Sequence, residues 1–117
     1  MSIRPLFAAT ALAMLVGCAS DPAPIEQLKL TEKAVEQAKA VGATEEQPEL
    51  QMAEDKLSQA RADMAGQSFK QARMQAEQSE LDARLAEAKV LTAKSQEQIN
   101  QINTRLNRLR KQLGESQ

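Results

Sequence analysis

Apolar and small residues recur at helical spacing soon after the N-terminal segment of the chain. They fall on one face of a helix, at Ile25, Leu28, Val35 and Ala38. Gly42 then stands where a left-handed residue ends many helices. The pattern predicts a first helix, α1, over residues 24–41.

The next helical stretch has the most regular stripe. Its members are separated by alternating steps of three and four residues: Leu50, Ala53, Leu57, Ala60 and Met64. Pro48 fits only a first helical turn, where its missing N–H has no partner to lose. These residues predict a second helix, α2, over residues 48–65.

A third helix is predicted to be much longer. Ser68 and Gln71 match a capping box, in which the hydroxyl and the amide satisfy free backbone N–H groups. Gly and Pro are then absent until Gly114, so the helix, α3, is predicted over residues 68–113. At 1.5 Å per residue it would be about 69 Å long. A helix of that length needs packing partners.

The first half of α3 carries two stripes. A stripe of small residues contains Ala72, Ala76, Ser79, Ala83, Ala86, Val90 and Ala93. A stripe of larger residues contains Met74, Leu81, Leu85 and Ala88. Two stripes accommodate two neighbouring helices, and short connections make consecutive helices antiparallel. The simplest fold is therefore all-α, an up-down-up three-helix bundle with a long protruding C-terminal helix that resembles a coiled coil.

The two short helices are expected to cover α3 only as far as about Ala88. Beyond that point, apolar residues again alternate in steps of three and four, at Ile99, Ile102, Leu106, Leu109 and Leu113. This is a coiled-coil seam of two heptads, and it predicts a partner: another copy of the chain or a helix of a different protein. The alternative is a monomer whose last helix is solvated or bends back on the bundle.

Four cations lie along the same segment, at Arg105, Arg108, Arg110 and Lys111. They fit the negative end of a helix dipole. They would also suit acidic groups of a partner or of the cell wall.

The N-terminus has the form of an export signal. Arg4 precedes an apolar run at residues 6–16, which is too short to span a bilayer, since a spanning helix needs about 20 apolar residues. Residues 1–17 are therefore predicted to be a signal peptide.

The end of that run, Leu15, Val16, Gly17 and Cys18, resembles the lipobox of bacterial lipoproteins. The resemblance implies that Cys18 becomes the first mature residue and carries acyl chains such as palmitate, which hold the protein on a membrane. Lipoproteins that stay in the inner membrane usually have Asp directly after the lipidated Cys, and this chain has Ala19 there. We therefore expect the protein to be anchored in the outer membrane, facing the periplasm. The alternative interpretation is that Cys18 is an ordinary cysteine without a lipid. Residues 18–24 would be a lipidated tether, 25–113 the helical domain and 114–117 a tail.

The composition of the chain argues against several classes of function. The chain has 15 basic and 16 acidic residues and a net charge of -1, which argues against nucleic acid as a partner. It has no His and one Cys, so we expect no enzyme activity, cofactor or metal. Acidic residues at the start of α2, Glu45, Glu46 and Glu49, suit a helix dipole better than a ligand site. Charges along α3 suggest either a substrate groove or, as we prefer, a solvated face with intrahelical ion pairs. These pairs would form between the acids Glu77, Glu80, Asp82 and Glu87 and the bases Arg73, Arg84 and Lys89.

Residues 28–95 resemble a family of unknown function whose members are Ala-rich Gram-negative lipoproteins. The resemblance rests on residues 30–43 with their Val41, Gly42, Ala43 break, on residues 48–57 after Pro48, and on residues 76–89. Longer members continue into a domain similar to the peptidoglycan-binding part of outer-membrane protein A. This chain ends at Gln117 without it, so peptidoglycan contact has no support in the sequence. Small structural lipoproteins bonded to the wall end in Lys, and this chain does not.

Together these features predict a noncatalytic, lipid-anchored helical spacer or adaptor at the periplasmic face of the outer membrane. Its contacts would be the membrane, through the lipid on Cys18, and either a second copy of this chain or a helix of a different protein, through the C-terminal seam. The alternatives are an accessory or binding subunit of a larger envelope complex and a regulator of a cell-wall enzyme.

Overall fold

The described part of the chain folds as three α-helices around one narrow core. The computed structural model describes residues 21–115, in which α1 spans Ile25–Ala40, α2 spans Pro48–Ala65 and α3 spans Phe69–Glu115. The predicted all-α fold with a long C-terminal helix is confirmed. The predicted signal peptide and Cys18 lie outside the described residues. Within them, no helix combines the length and apolarity needed to cross a membrane.

The connection after α1 follows from one glycine. Gly42 adopts a φ of 107°, which a side chain would make costly. This conformation lets the Gly42 N–H donate to the carbonyl of Lys39, and the Ala43 N–H donate to the carbonyl of Ala38, both at 2.9 Å. The predicted left-handed residue therefore ends α1 and turns the chain towards Pro48, the first residue of α2.

The connection between α2 and α3 has its left-handed residue at Gln67. This residue has a φ of 59°, while Gly66 has an ordinary φ of -80°. The Ser68 N–H donates to the carbonyl of Asp63 at 2.8 Å, which completes the helix end. Ser68 accepts from the Ala72 N–H only through its carbonyl, and its hydroxyl makes no hydrogen bond to any described residue. The predicted capping box is therefore not formed.

Small residues form most of the core and let the helices approach closely. On α3 the predicted small stripe is buried from Ala72 to Val90, and only its last member, Ala93, is exposed. On α2 the predicted stripe is buried at Leu50, Ala53, Leu57 and Ala60, and Met64 is half-buried. On α1 the buried residues are Thr31, Ala34, Val35 and Ala38, whereas Ile25, which the sequence placed on this face, is exposed.

Two buried hydroxyls join the helices across these seams. The Thr31 hydroxyl on α1 lies 2.9 Å from the Ala76 carbonyl on α3 and also reaches the Gln27 carbonyl of its own helix. The Ser79 hydroxyl on α3 donates to the Ala53 carbonyl on α2 at 2.5 Å. Because each hydroxyl meets a backbone carbonyl of the facing helix, both bonds require the close approach that alanine seams allow.

The prediction that each stripe of α3 meets a neighbouring helix is wrong. Both short helices pack around the small stripe, and Leu81 of the larger stripe remains 67% exposed. Met74, Leu85 and Ala88 are exposed as well. The reason is that α1 and α2 also contact each other, so all three helices share one core and the larger stripe lies outside it.

The bundle ends where the sequence placed its limit, within a few residues. Val90 is the last buried side chain of α3, and residues 91–114 are exposed throughout. Lys94 donates to the carbonyl of Val41, at the end of α1, with a distance of 2.6 Å. We call residues 91–114 the extension, because this part of α3 continues beyond the other two helices.

Candidate functional site

The candidate site is an apolar surface on α3. The seam residues Ile99, Ile102, Leu106 and Leu109 lie on the extension and are between 44% and 55% exposed. Leu113, near the end of the helix, is 70% exposed. The structure thus leaves the predicted seam accessible to solvent, which a binding surface requires.

This apolar surface is longer than the sequence analysis assumed. Going back from Ile99 in the same steps of four and three residues leads to Ser95, Thr92, Ala88, Leu85 and Leu81. All of these side chains are exposed. We call the ten positions from Leu81 to Leu113 the open face. The signal for it was present as unbroken heptad spacing, but Leu81 and Leu85 had been assigned to an intramolecular contact.

Polar contacts on both sides of the small stripe fix the rotation of α3. On one side, α2 forms two ion pairs with it, Lys56 with Asp82 at 2.6 Å and Glu49 with Lys89. On the other side, α1 supplies Gln27 to Glu80 and Gln37 to Glu87, each at 2.7 Å. Because both flanks are held, the remaining side of α3, which carries the open face, points away from the bundle.

These contacts correct the preferred interpretation of the charges on α3. Only Glu80 and Arg84, 2.6 Å apart, form an ion pair within the helix among the charges that the sequence analysis paired. Asp82 and Lys89 pair with α2 instead, and Glu87 accepts a hydrogen bond from α1. Arg73 donates to the carbonyl of Pro22, ahead of α1. The charges therefore hold the helices together more than they stabilise α3 alone.

Three titrating groups respond to these contacts. The hydrogen bond from Lys89 lowers the pKa of Glu49 below its ordinary value. Hydrogen bonds from Arg84 and then Gln27 lower the pKa of Glu80. The hydrogen bond to Glu54 raises the pKa of Lys39. Each shift favours the charged form of a group that joins two parts of the bundle, so none of them indicates an acid or base prepared for catalysis.

Charge is distributed unevenly between the bundle and the extension. Residues 21–90 contain fourteen acidic and nine basic residues. In contrast, residues 91–114 contain five basic residues, Lys94, Arg105, Arg108, Arg110 and Lys111, against the single acid Glu97. The open face therefore runs from an acidic bundle onto a basic rod.

Comparisons with known proteins identify the family. The profile of a domain of unknown function, DUF4398, matches residues 26–102. The chain belongs to this family. A DUF4398 family protein from Pseudomonas aeruginosa PAO1, with a crystal structure at 2.47 Å, is 58% identical, with a TM-score of 0.79. The match covers 82% of this chain and 100% of that chain. No curated protein gives a significant match.

The family resemblance seen in the sequence is thereby confirmed at the level of the DUF4398 domain. The match includes Ile99 and Ile102 of the open face and ends before Leu106. It indicates no catalytic family. The DUF4398 domain accounts for the three helices of this protein, while lipidation at Cys18 stays a prediction.

Other surfaces of this DUF4398 protein have weaker features of a binding site than the open face. Among the described residues, no group of three or more His, Cys, Asp or Glu side chains could hold a metal ion. A groove between α1 and α2, about 310 Å³ in volume, is lined by charges that already pair with each other, Arg61 with Glu32 and Lys39 with Glu54. Glu49, proposed as a possible ligand, faces Lys89. The open face is the strongest candidate for a functional surface.

Proposed function

We propose that this protein is a noncatalytic, lipid-anchored helical spacer or adaptor at the periplasmic face of the outer membrane. The observation that carries the proposal is the extension of α3, which continues for about 36 Å past Val90 at 1.5 Å per residue. It carries an apolar stripe on an otherwise polar rod. Such a rod suits contact with another protein at a distance from the bundle better than binding of a small molecule.

The direction of the chain supports a role as a spacer. Pro22, four residues after Cys18, accepts a hydrogen bond from Arg73 in the first turns of α3. Ile102 lies about 44 Å further along the same helix, at 1.5 Å per residue. A lipid on Cys18 would therefore hold one end of the molecule at the membrane and present the seam at the other end.

The anchor is tested at Cys18. We expect Cys18→Ala to abolish acylation and to remove the full chain, expressed in Pseudomonas aeruginosa cells, from the outer-membrane fraction, because the acyl chains would attach it to the bilayer. Fractionation, with mass spectrometry of the N-terminal peptide, measures both effects. Ser20→Ala is the matched control and should stay in the membrane. Retention of Cys18→Ala in that fraction would refute the anchor.

Sorting to the outer membrane has a separate test. Ala19→Asp places the retention signal of many lipoproteins directly after Cys18 while leaving the lipidation site intact. We expect this variant to move to the inner membrane without losing its lipid. An unchanged distribution between the two membranes would contradict the role assigned to Ala19.

A second function is favoured by the basic residues that surround the seam. An accessory subunit of a larger envelope complex, or a regulator of a cell-wall enzyme, would use the same extension to contact an acidic helix of a different protein. Photo-crosslinking from position 98, beside Ile99 on the extension, followed by mass spectrometry, distinguishes these roles. A single heterologous protein captured in stoichiometric yield would favour the subunit or the regulator over a spacer.

A further inference from the structure

The sizes of the side chains along the open face restrict which helix can pack against it. Large residues stand at both ends, Leu81 and Leu85 on the bundle and the five seam residues on the extension. The three positions between them are small or polar: Ala88, Thr92 and Ser95. A partner helix that fills this face evenly must place large side chains opposite these three positions.

We propose that a second copy of this chain occupies the open face, antiparallel to the first, with the two-fold axis passing between Ser95 and Ile99, at the level of Glu97. In this register each small position faces a large one: Ala88 faces Leu106, Thr92 faces Ile102 and Ser95 faces Ile99 of the other copy. The layers at the ends pair Leu85 with Leu109 and Leu81 with Leu113. Among antiparallel registers, it is the one in which all ten positions of the open face are paired.

A parallel arrangement in register fills the same face poorly. It would place Ala88, Thr92 and Ser95 against their own copies, so three successive layers would contain no large apolar side chain. Coiled-coil layers of this kind pack loosely, and polar residues at such positions lower stability. The side-chain order therefore selects the antiparallel pair.

Charge selects the same orientation. In the antiparallel pair, the basic residues from Arg105 to Lys111 are spread beside residues 83–89 of the other copy, which hold Arg84, Glu87 and Lys89 within a bundle that has fourteen acidic and nine basic residues. In the parallel pair, these basic residues would lie beside the identical basic residues of the other copy. Opposite charges across an interface favour the correct orientation, and like charges disfavour the alternative. Arg84, the cation beside Leu85, is already paired with Glu80 at 2.6 Å.

The bundle has room for the second copy on this side. The contacts of α1 and α2 with α3, from Gln27 to Glu80, from Lys56 to Asp82 and from Glu49 to Lys89, lie on the two flanks of α3 and leave the open face uncovered.

The antiparallel pair shares one assumption with the proposed spacer function, which is that the extension is a contact surface. It adds that the two bundles lie at opposite ends of one rod. Both lipid anchors then reach the same membrane only when the rod lies along its surface. Pairing is independent of lipidation, so the two proposals fail separately.

Cysteine cross-linking in the full chain tests the register. Thr92→Cys and Ile102→Cys are produced together in Pseudomonas aeruginosa with different C-terminal tags, and membranes are oxidised with copper phenanthroline. Both side chains are exposed, so neither variant disturbs the bundle. The mixed pair faces each other in the antiparallel dimer. Identical positions would be about 15 Å apart along the axis, whereas a disulfide needs Cα atoms about 4.4–6.8 Å apart.

We expect the mixed-tag dimer to exceed, at least tenfold, the dimer that either variant forms with itself. Thr104→Cys, off the seam, replaces Ile102→Cys in the matched control and should give only the level of the wild-type chain, whose one cysteine is Cys18. Repeating the experiment with Cys18→Ala, with oxidation of whole cells in place of membranes, separates pairing from anchoring. A dominant bond between two Ile102→Cys chains would show parallel pairing, and yields at the wild-type level would show that no second copy occupies the face. Either result overturns the proposal.

Discussion

At the scale of single residues, the fold depends on ion pairs that set the rotation of α3. The carboxylate of Glu49 is nearly buried and faces Lys89, and Glu80 accepts bonds from Arg84 on its own helix and from Gln27 on α1. Their pKa values are lowered in the folded chain. Protonation therefore removes contacts that hold α3 against both neighbours.

The sign of the pH dependence follows from these shifts. Since both pKa values lie below the ordinary 4.5 in the folded chain, the stability from these groups is complete above about pH 4.5 and is lost as pH falls through the folded values. We expect the free energy of unfolding of Glu49→Gln, and that of Glu80→Gln, to change less between pH 5 and pH 3 than that of the wild type. Urea unfolding at several pH values measures this. Exposed Glu77→Gln is the control, and an equal loss of pH dependence in it would contradict the assignment.

The two left-handed residues predict opposite effects of substitution. Gly42→Ala places a side chain at a φ of 107° and should lower the free energy of unfolding by about 1–2 kcal/mol. Gln67→Gly relieves a side chain at a φ of 59° and should raise it by about 0.5–1 kcal/mol. Chemical denaturation measures both. If Gln67→Gly destabilised the chain, the residue would not be left-handed in solution.

At the scale of helices, α2 supplies the two buried leucines of the core. Leu50 and Leu57 are its buried large residues, and the rest of its contact surface is mainly alanine. A core of this composition depends on close approach more than on large buried volumes. Truncation of either leucine therefore removes a large share of the apolar contact that α2 makes.

Leu57→Ala tests this packing. We expect it to cost about 2–5 kcal/mol, the usual range for a buried leucine, and to lower the thermal midpoint by many degrees. Met52→Ala, on the exposed side of the same helix, should change the midpoint little. Thermal unfolding followed by circular dichroism compares the two. Equal shifts would mean that α2 packs with a different face.

At the scale of the whole molecule, stability and association are separate. The bundle ends at Val90, whereas most of the open face lies on the extension, where every side chain from 91 to 114 is exposed. Substitutions on the extension should therefore change assembly without unfolding the bundle.

The double substitution Ile102→Asp with Leu109→Asp tests that separation. For the chain beginning at Ala19, we expect the wild type to self-associate and the double variant to be a monomer with an unchanged bundle. Sedimentation equilibrium measures the mass, and thermal unfolding measures the bundle. Gln101→Asp with Thr104→Asp adds the same charge off the seam and should still associate. A wild type that is monomeric at high micromolar concentration would exclude self-association.

Local sequence was sufficient for the helices and their ends. Gly42 and Pro48 predicted the first connection because each has a conformation that few other residues share. The second connection was harder, since Gln67 carries the positive φ beside a glycine that does not need it. The capping box at Ser68 failed because the backbone of Ser68 completes the end of α2 while its hydroxyl stays free of the predicted bond.

By itself, the sequence determined three helices, the long α3 and the spacing of its seam, because helix propensity and periodicity depend on neighbours along the chain. It could not decide which stripe of α3 is buried, since both have helical periodicity. Only the tertiary structure decided this: alanines let α1 and α2 share one narrow core, and inter-helix ion pairs fix the rotation of α3 around it. The larger stripe, with Leu81 and Leu85, was thereby left on the surface, in continuous register with the seam.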